Sequence, residues 1–237
     1  MLNYLNRLYP YQAIKLLVKS SKTKQVNKSP IQTDYQAVES TLDKLDRSLL
    51  DFTVYRKESS IPNAGLGVFL ATAQKIKRGT IVCFYPGTIY LPSEPILLAS
   101  IANQYILKCI DGLYVDGKPK GLSRRMYQSI YKRENWPGTI QMSDQSWLSN
   151  DDKEFINPLA VGQYVNNGAT SSTFKPNVCY QEVDLPLQFP NHLRRYIPNM
   201  YWNSQIDPFL KMRVIVLVTL RDIDDQEELF STYMDSM

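Results

Sequence analysis

The chain reads as a mainly β protein with some helix, a class that three features of the sequence predict. From residue 52 onward, β-branched and aromatic runs of about four to eight residues are cut by Gly, Pro and Asn breaks. The connections between those runs are irregular, with no strand–helix alternation and no internal repeat, which argues against a parallel α/β sheet. Residues 1–51 differ, with helical apolar spacing around a Lys/Ser linker, so a helical extension is placed at 1–51 and the main domain at 52–237.

The totals narrow the function. At 237 residues and 43% hydrophobic content, the chain can bury a substantial core. No apolar run approaches a bilayer span; residues 214–220 are too few and read as a buried strand, so no membrane partner is expected. A net charge of +4 permits acidic partners but is too dilute for a nucleic-acid binder, and no direct nucleic-acid contact is expected. The one histidine, His192, lies in a polar segment and reads as a surface residue. Cys83, Cys109 and Cys179 are widely separated, which excludes a Cys/His zinc site of ordinary spacing and argues against a disulfide framework. No metal site is predicted. Chemistry is left to carboxylates, amides, backbone groups and sixteen tyrosines.

Along the chain, residues 1–33 carry six bases and no acid, with Leu5, Leu8, Ile14, Leu17 and Val18 on short helices interrupted at Pro10. That is also the composition of a mitochondrial presequence. The early tyrosines and the scarcity of arginine favour a helical extension instead; a place in the nucleus or cytoplasm is expected, with mitochondrial import as the alternative. Val38, Leu42, Leu45 and Leu49 recur at helical spacing, so a helix is expected over 33–50, then a strand over 52–56. Gly65-Leu66-Gly67 precedes the next strand; its glycines tolerate positive φ and let a ligand approach the backbone. The third glycine of a dinucleotide fingerprint is missing. A strand over 80–84 breaks at Tyr85-Pro86-Gly87 and resumes over 88–90.

Asp111-Gly112, between strand-like runs at 104–110 and 113–116, is the strongest hairpin signal. Residues 117–158 form an insertion with a helix over 123–133 and a polar loop carrying Trp136 and Trp147, read as surface elaboration or a partner platform. Strand formers at Tyr164 and Val165 then stop at Asn166-Asn167, and a new strand over 176–185 enters through Pro176-Asn177. Amides can donate and accept, and so pin one backbone segment to another, although an Asn pair before Gly is also an ordinary turn signal. A short helix is expected over 189–198 and a strand buried on both faces over 213–220. The chain closes on Arg221 to Tyr233, with Glu227-Glu228-Leu229 inside that block.

Four of these blocks, in order, resemble the SET-domain family of S-adenosylmethionine-dependent protein lysine methyltransferases. They are Gly65-Leu66-Gly67 through Tyr85-Pro86-Gly87, Tyr105 through Val115-Asp116, Val161 to Asn167 with Pro176-Asn177, and Arg221 to Tyr233. The resemblance implies a β-clip fold of several small curved sheets with a knot-like threaded C-terminal segment. It implies S-adenosyl-L-methionine as cofactor, bound by the Gly65, Leu66 and Gly67 backbone and by Asn166, Asn167 and Tyr233. It implies Tyr233 as the residue facing the sulfonium methyl and the target amine, with Tyr105 as a second channel residue. A lysine-bearing protein is the implied substrate and a monomer the implied state. The alternative is a catalytically idle SET module that binds a partner through residues 117–158. Asn167 stands where the family has histidine and Gln226 where it has glycine, the connection over 168–175 is longer than the family's, and no cysteine-rich segment follows Tyr233.

Overall fold

The computed structural model describes residues 33–130, 157–168, 173–202 and 212–232, which lie in one compact unit beginning at residue 32. In chain order the first elements are α1 (Tyr35–Asp46), β1 (Phe52–Glu58), β2 (Leu66–Thr72), β3 (Ile81–Tyr85), β4 (Gly87–Tyr90), α2 (Leu97–Ser100), β5 (Ile106–Lys108), β6 (Tyr114–Asp116) and α3 (Gly121–Ile130). Then follow β7 (Asn166–Asn167), β8 (Val178–Leu185), β9 (Asn199–Tyr201), β10 (Met212–Thr219) and β11 (Phe230–Ser231). Two 3₁₀ segments, Gly162–Tyr164 and Asn191–Tyr196, also occur among the described residues.

The strands make four small sheets, as the mainly β reading requires. The central one has the order β3-β10-β8, all antiparallel, and every residue of β10 is buried. That matches a strand predicted to be covered on both faces, because only an apolar run can sit between two packed layers. α1 packs near β3, β8 and the Asn191–Tyr196 turn. Asp34 caps α1 by accepting from the Ala37 N–H, and Val38 and Leu42 are fully buried on its inner face. At its far end Asp46 accepts the Tyr196 hydroxyl at 2.6 Å and pairs with Arg195.

A second sheet has the order β5-β6-β4-β9, with β4 antiparallel to β6 and parallel to β9. Its β5–β6 hairpin turns at Asp111-Gly112, with Gly112 at φ 92°, as the turn chemistry demanded. Arg213 of β10 donates to Asp111 (2.7 Å), Asp184 (2.6 Å) and Glu182, clamping that hairpin to the central sheet. The third sheet pairs β1 with β2 antiparallel, and the fourth pairs β7 with β11 in parallel.

Several expected boundaries move. The strand expected to end at the amide pair is a 3₁₀ turn over Gly162–Tyr164, and the amides themselves form β7. A β-carbon at Gly162 would lie 2.7 Å from the Phe84 carbonyl oxygen, so this segment is pressed onto the central sheet more closely than a strand would allow. The helix expected over 189–198 is likewise a 3₁₀ segment, six residues over Asn191–Tyr196. The first helix stops at Asp46, and the chain reverses at Ser48 with φ 59°. Residues 1–32, Trp136, Trp147 and Tyr233 lie outside the described residues. Among the described residues no helix is long and apolar enough to cross a membrane.

Candidate functional site

The strand pair β1–β2 gains a third member from the end of the chain. Gln226 donates to the Leu70 carbonyl (2.9 Å), Leu70 to Glu227 (3.0 Å) and Leu229 to Val68 (2.8 Å), which lays residues 226–229 along the open edge of β2. Past that point β11 is held on both sides. On one side Phe230 and Ser231 pair with Asn166 and Asn167, and the Gly168 N–H reaches the Ser231 carbonyl at 2.9 Å. On the other side the Asn177 N–H donates to the Phe230 carbonyl at 2.9 Å. The end of the chain therefore runs between the two ends of the 168–177 connection, which is the threaded arrangement.

Asn177 is the clamp. It is fully buried, its Oδ1 accepts the Phe230 N–H at 2.7 Å, and its Nδ2 donates to the Glu228 carbonyl at 2.8 Å and to Glu227 Oε1 at 3.0 Å. Burial works to raise the Glu227 carboxyl, but the Arg221 guanidinium and the Asn177 amide prevail and hold it below its usual range.

The two early glycines have different roles. A β-carbon at Gly67 would fall 2.1 Å from Glu228 Oε1, so this glycine makes room for a carboxylate that is itself buried. Glu228 accepts the Ser59 hydroxyl at 2.6 Å and the Ser60 N–H at 2.7 Å, which ties down the loop leading to β2. Asn166 Nδ2 donates to the Leu66 carbonyl at 3.1 Å and lies 3.5 Å from Glu228 Oε1. Gly65, at φ 78°, would present a β-carbon to open space, so its backbone is the accessible part of the pair.

Thus Gly67 and Asn166 meet the C-terminal segment at Glu228, Leu66 is bonded to Asn166 with Gly65 before it in the chain, and Asn167 joins through the β7–β11 pair. Tyr105 lies immediately before β5 of the second sheet. Its carbonyl accepts the Tyr85 hydroxyl (2.6 Å) and the Gly117 N–H (3.0 Å), and its own N–H donates to Asn103 Oδ1 at 2.9 Å. Reading the residues alone did not single out Ser59, Ser60 or Glu228 as one cluster, although the Glu227-Glu228-Leu229 block was the available signal. Elsewhere, donor atoms of Cys109, Asp111 and Glu182 lie within 4.8 Å of one another, but Arg213 already sits on both carboxylates.

A SET domain family model matches residues 65–234. The chain belongs to the SET domain family. It is 46% identical over 184 residues to SET domain-containing protein 9 of Pongo abelii and of Homo sapiens. Those alignments take in 78% of this chain and 64% and 58% of the two relatives, so the chain spans about three-fifths of their length. A crystal structure of a Plasmodium falciparum protein, named as a histone methyltransferase, aligns over 78% of this chain and 95% of its own at 14% identity and a TM-score of 0.35.

This SET domain departs from its family pattern at positions where the backbone does the work. Asn167, in the histidine position, pairs with Ser231 through main-chain bonds that do not depend on its side chain. Gln226, in the glycine position, adopts φ 60°, a region that glycine enters freely. A non-glycine residue there carries about 1–2 kcal/mol of strain, partly offset because glycine loses more freedom on folding. Gln226→Gly relieves that strain but also removes the side-chain bonds to the Tyr55 hydroxyl and to Asp225, so stability is expected to stay within about 0.5 kcal/mol of wild type. The check is a denaturant midpoint unchanged at unchanged slope.

Proposed function

We propose that this SET domain transfers a methyl group from S-adenosylmethionine to a lysine side chain of a protein substrate. The observation that supports this most is the convergence of the Gly65–Gly67 backbone, Asn166 and the threaded segment around β11. The open side of Gly65 suits close approach by a ligand, and the buried Ser231 hydroxyl, which has no hydrogen-bond partner among the described residues, fits a polar cofactor edge. In this reading the backbone at Gly65, Leu66 and Gly67 and the amides of Asn166 and Asn167 hold the cofactor.

Bound there, S-adenosylmethionine supplies an electrophilic methyl group. The task left to the chain is alignment of the incoming amine. Tyr233, two residues beyond Ser231, is the proposed residue that orients the amine lone pair through its hydroxyl, with Tyr105 as a second channel residue. Free lysine has a pKa of about 10.4, so a dry site that disfavours the ammonium form helps the amine lose its proton before reaction.

The experiment pairs calorimetric titration of S-adenosylmethionine with transfer of labelled methyl to candidate protein substrates. Tyr233→Phe is expected to lower turnover about a hundredfold, the scale of losing alignment, while leaving cofactor affinity within about twofold. Absence of cofactor binding, or equal turnover in wild type and Tyr233→Phe, would overturn the proposal and leave the idle interaction module.

A further inference from the structure

Among the described residues ten large apolar side chains are exposed, and four of them lie close in sequence: Leu97 and Leu98 on α2, Ile101 just after it and Leu122 at the start of α3. Leu97 is 73% exposed, Leu98 69% and Ile101 62%, whereas the intervening Ala99 is buried. A single helical turn that turns its alanine inward and its leucines outward is an unusual use of apolar residues. An apolar group of this kind on a soluble surface marks an interaction site.

The exposed side chains stand on a fixed base. Asn103 Nδ2 donates to the Ala99 carbonyl at 2.8 Å and to the buried Asp116 carboxylate at 2.8 Å, and lies 3.4 Å from the Ser123 hydroxyl. Lys118 Nζ donates to the Ala102 carbonyl at 3.1 Å. One amide thus ties the inner side of α2 to β6 and to the first turn of α3, so the leucines project from an anchored platform.

The charge around them is mainly basic. Residues 94–130 contain five bases and three acids, and each acid is engaged: Glu94 accepts the Leu91 N–H at 2.7 Å, Asp111 lies in the Arg213 clamp and Asp116 in the interior. Lys120 and Arg125 are exposed, and neither has a carboxylate partner among the described residues. An apolar centre with a charged rim has the anatomy of a protein interface.

We infer that the α2–α3 face is a docking surface for an acidic protein segment that carries apolar anchors. Charge complementarity sets the sign of the partner, and the projecting leucines set its apolar positions. A membrane fits less well, because binding in the bilayer interface calls for an extended amphipathic helix and α2 has four residues. The inference does not depend on methyl transfer.

The test is selection of short peptides from a random display library on the full chain. Selected peptides should be enriched in Asp and Glu together with Leu, Ile or Phe, and should bind less tightly as salt is raised. Their affinity should fall about tenfold for Leu98→Ser and for the charge-reversed K120E/R125E, with the thermal transitions of both variants unchanged. Peptides without acidic enrichment, or equal affinity for wild type and variants, would overturn the inference. So would binding to phosphatidylserine vesicles in place of peptides, or a wild-type dimer that Leu98→Ser converts to monomer.

Discussion

Asn177→Ala is expected to lower the unfolding free energy by about 3–5 kcal/mol, because it orphans two buried main-chain groups at once. The Phe230 N–H loses its acceptor at 2.7 Å and the Glu228 carbonyl loses its donor at 2.8 Å. No water can substitute easily at a residue with no exposed surface. Each orphaned group costs about 1–3 kcal/mol, and the donor to Glu227 is lost as well. The denaturant midpoint should fall at unchanged slope, and the thermal midpoint should drop on the order of 10 °C for a domain of this size. Asn177→Asp separates the contributions, since it retains an acceptor for Phe230 but replaces the donor to Glu227 with a second carboxylate. An effect of Asn177→Ala below about 0.5 kcal/mol, typical of a surface position, would mean that the threaded segment is held by something else.

The parts of this structure that could be read in the sequence are those whose causes are local. The β5–β6 hairpin follows from Asp111-Gly112, where two adjacent residues carry the turn, and β10 follows from a near-continuous β-branched run. The amide pair was legible as a feature but not as a strand, because β7 is two residues long and owes its existence to β11. The residues before it, Gly162 to Tyr164, have strand-forming neighbours yet form a 3₁₀ turn, since close packing onto Phe84 and Leu217 overrides local preference. Arg213 was visible only as a charge at the head of a strand. Its partners come from three places, Asp111, Glu182 and Asp184, that pattern reading does not join. The same holds for the candidate site, where the Ser59–Glu228 bond spans 169 positions of sequence. Spacing identified the glycine pair and the closing acidic block separately, and only the fold shows that one makes room for the other.

That relation carries the second large effect. Gly67→Ala is expected to cost about 2–4 kcal/mol, because its β-carbon would enter the space of the Glu228 carboxylate. The carboxylate is the end of a flexible side chain and could swing aside, but doing so breaks its bonds to Ser59 Oγ at 2.6 Å and Ser60 N at 2.7 Å. Because Glu228 is buried, the displaced group finds no ready solvent, and charged groups stripped of hydrogen bonds in the interior are costly. The diagnosis is open to a double-mutant cycle. With Glu228→Ala as background the obstruction is gone, so Gly67→Ala should then cost less by about 1–2 kcal/mol, within the range of contacting residues. Gly65→Ala supplies the contrast: its penalty of about 1–2 kcal/mol arises from backbone conformation at φ 78°, and should be the same with or without Glu228. Equal costs of Gly67→Ala in both backgrounds would place its penalty in the backbone instead. Cofactor titration on the same variants then separates the glycines by function. Gly67→Ala should impair binding by loosening the 59–65 loop and add little further loss once Glu228, which ties that loop through Ser59 and Ser60, is removed, whereas Gly65→Ala should impair binding in either background.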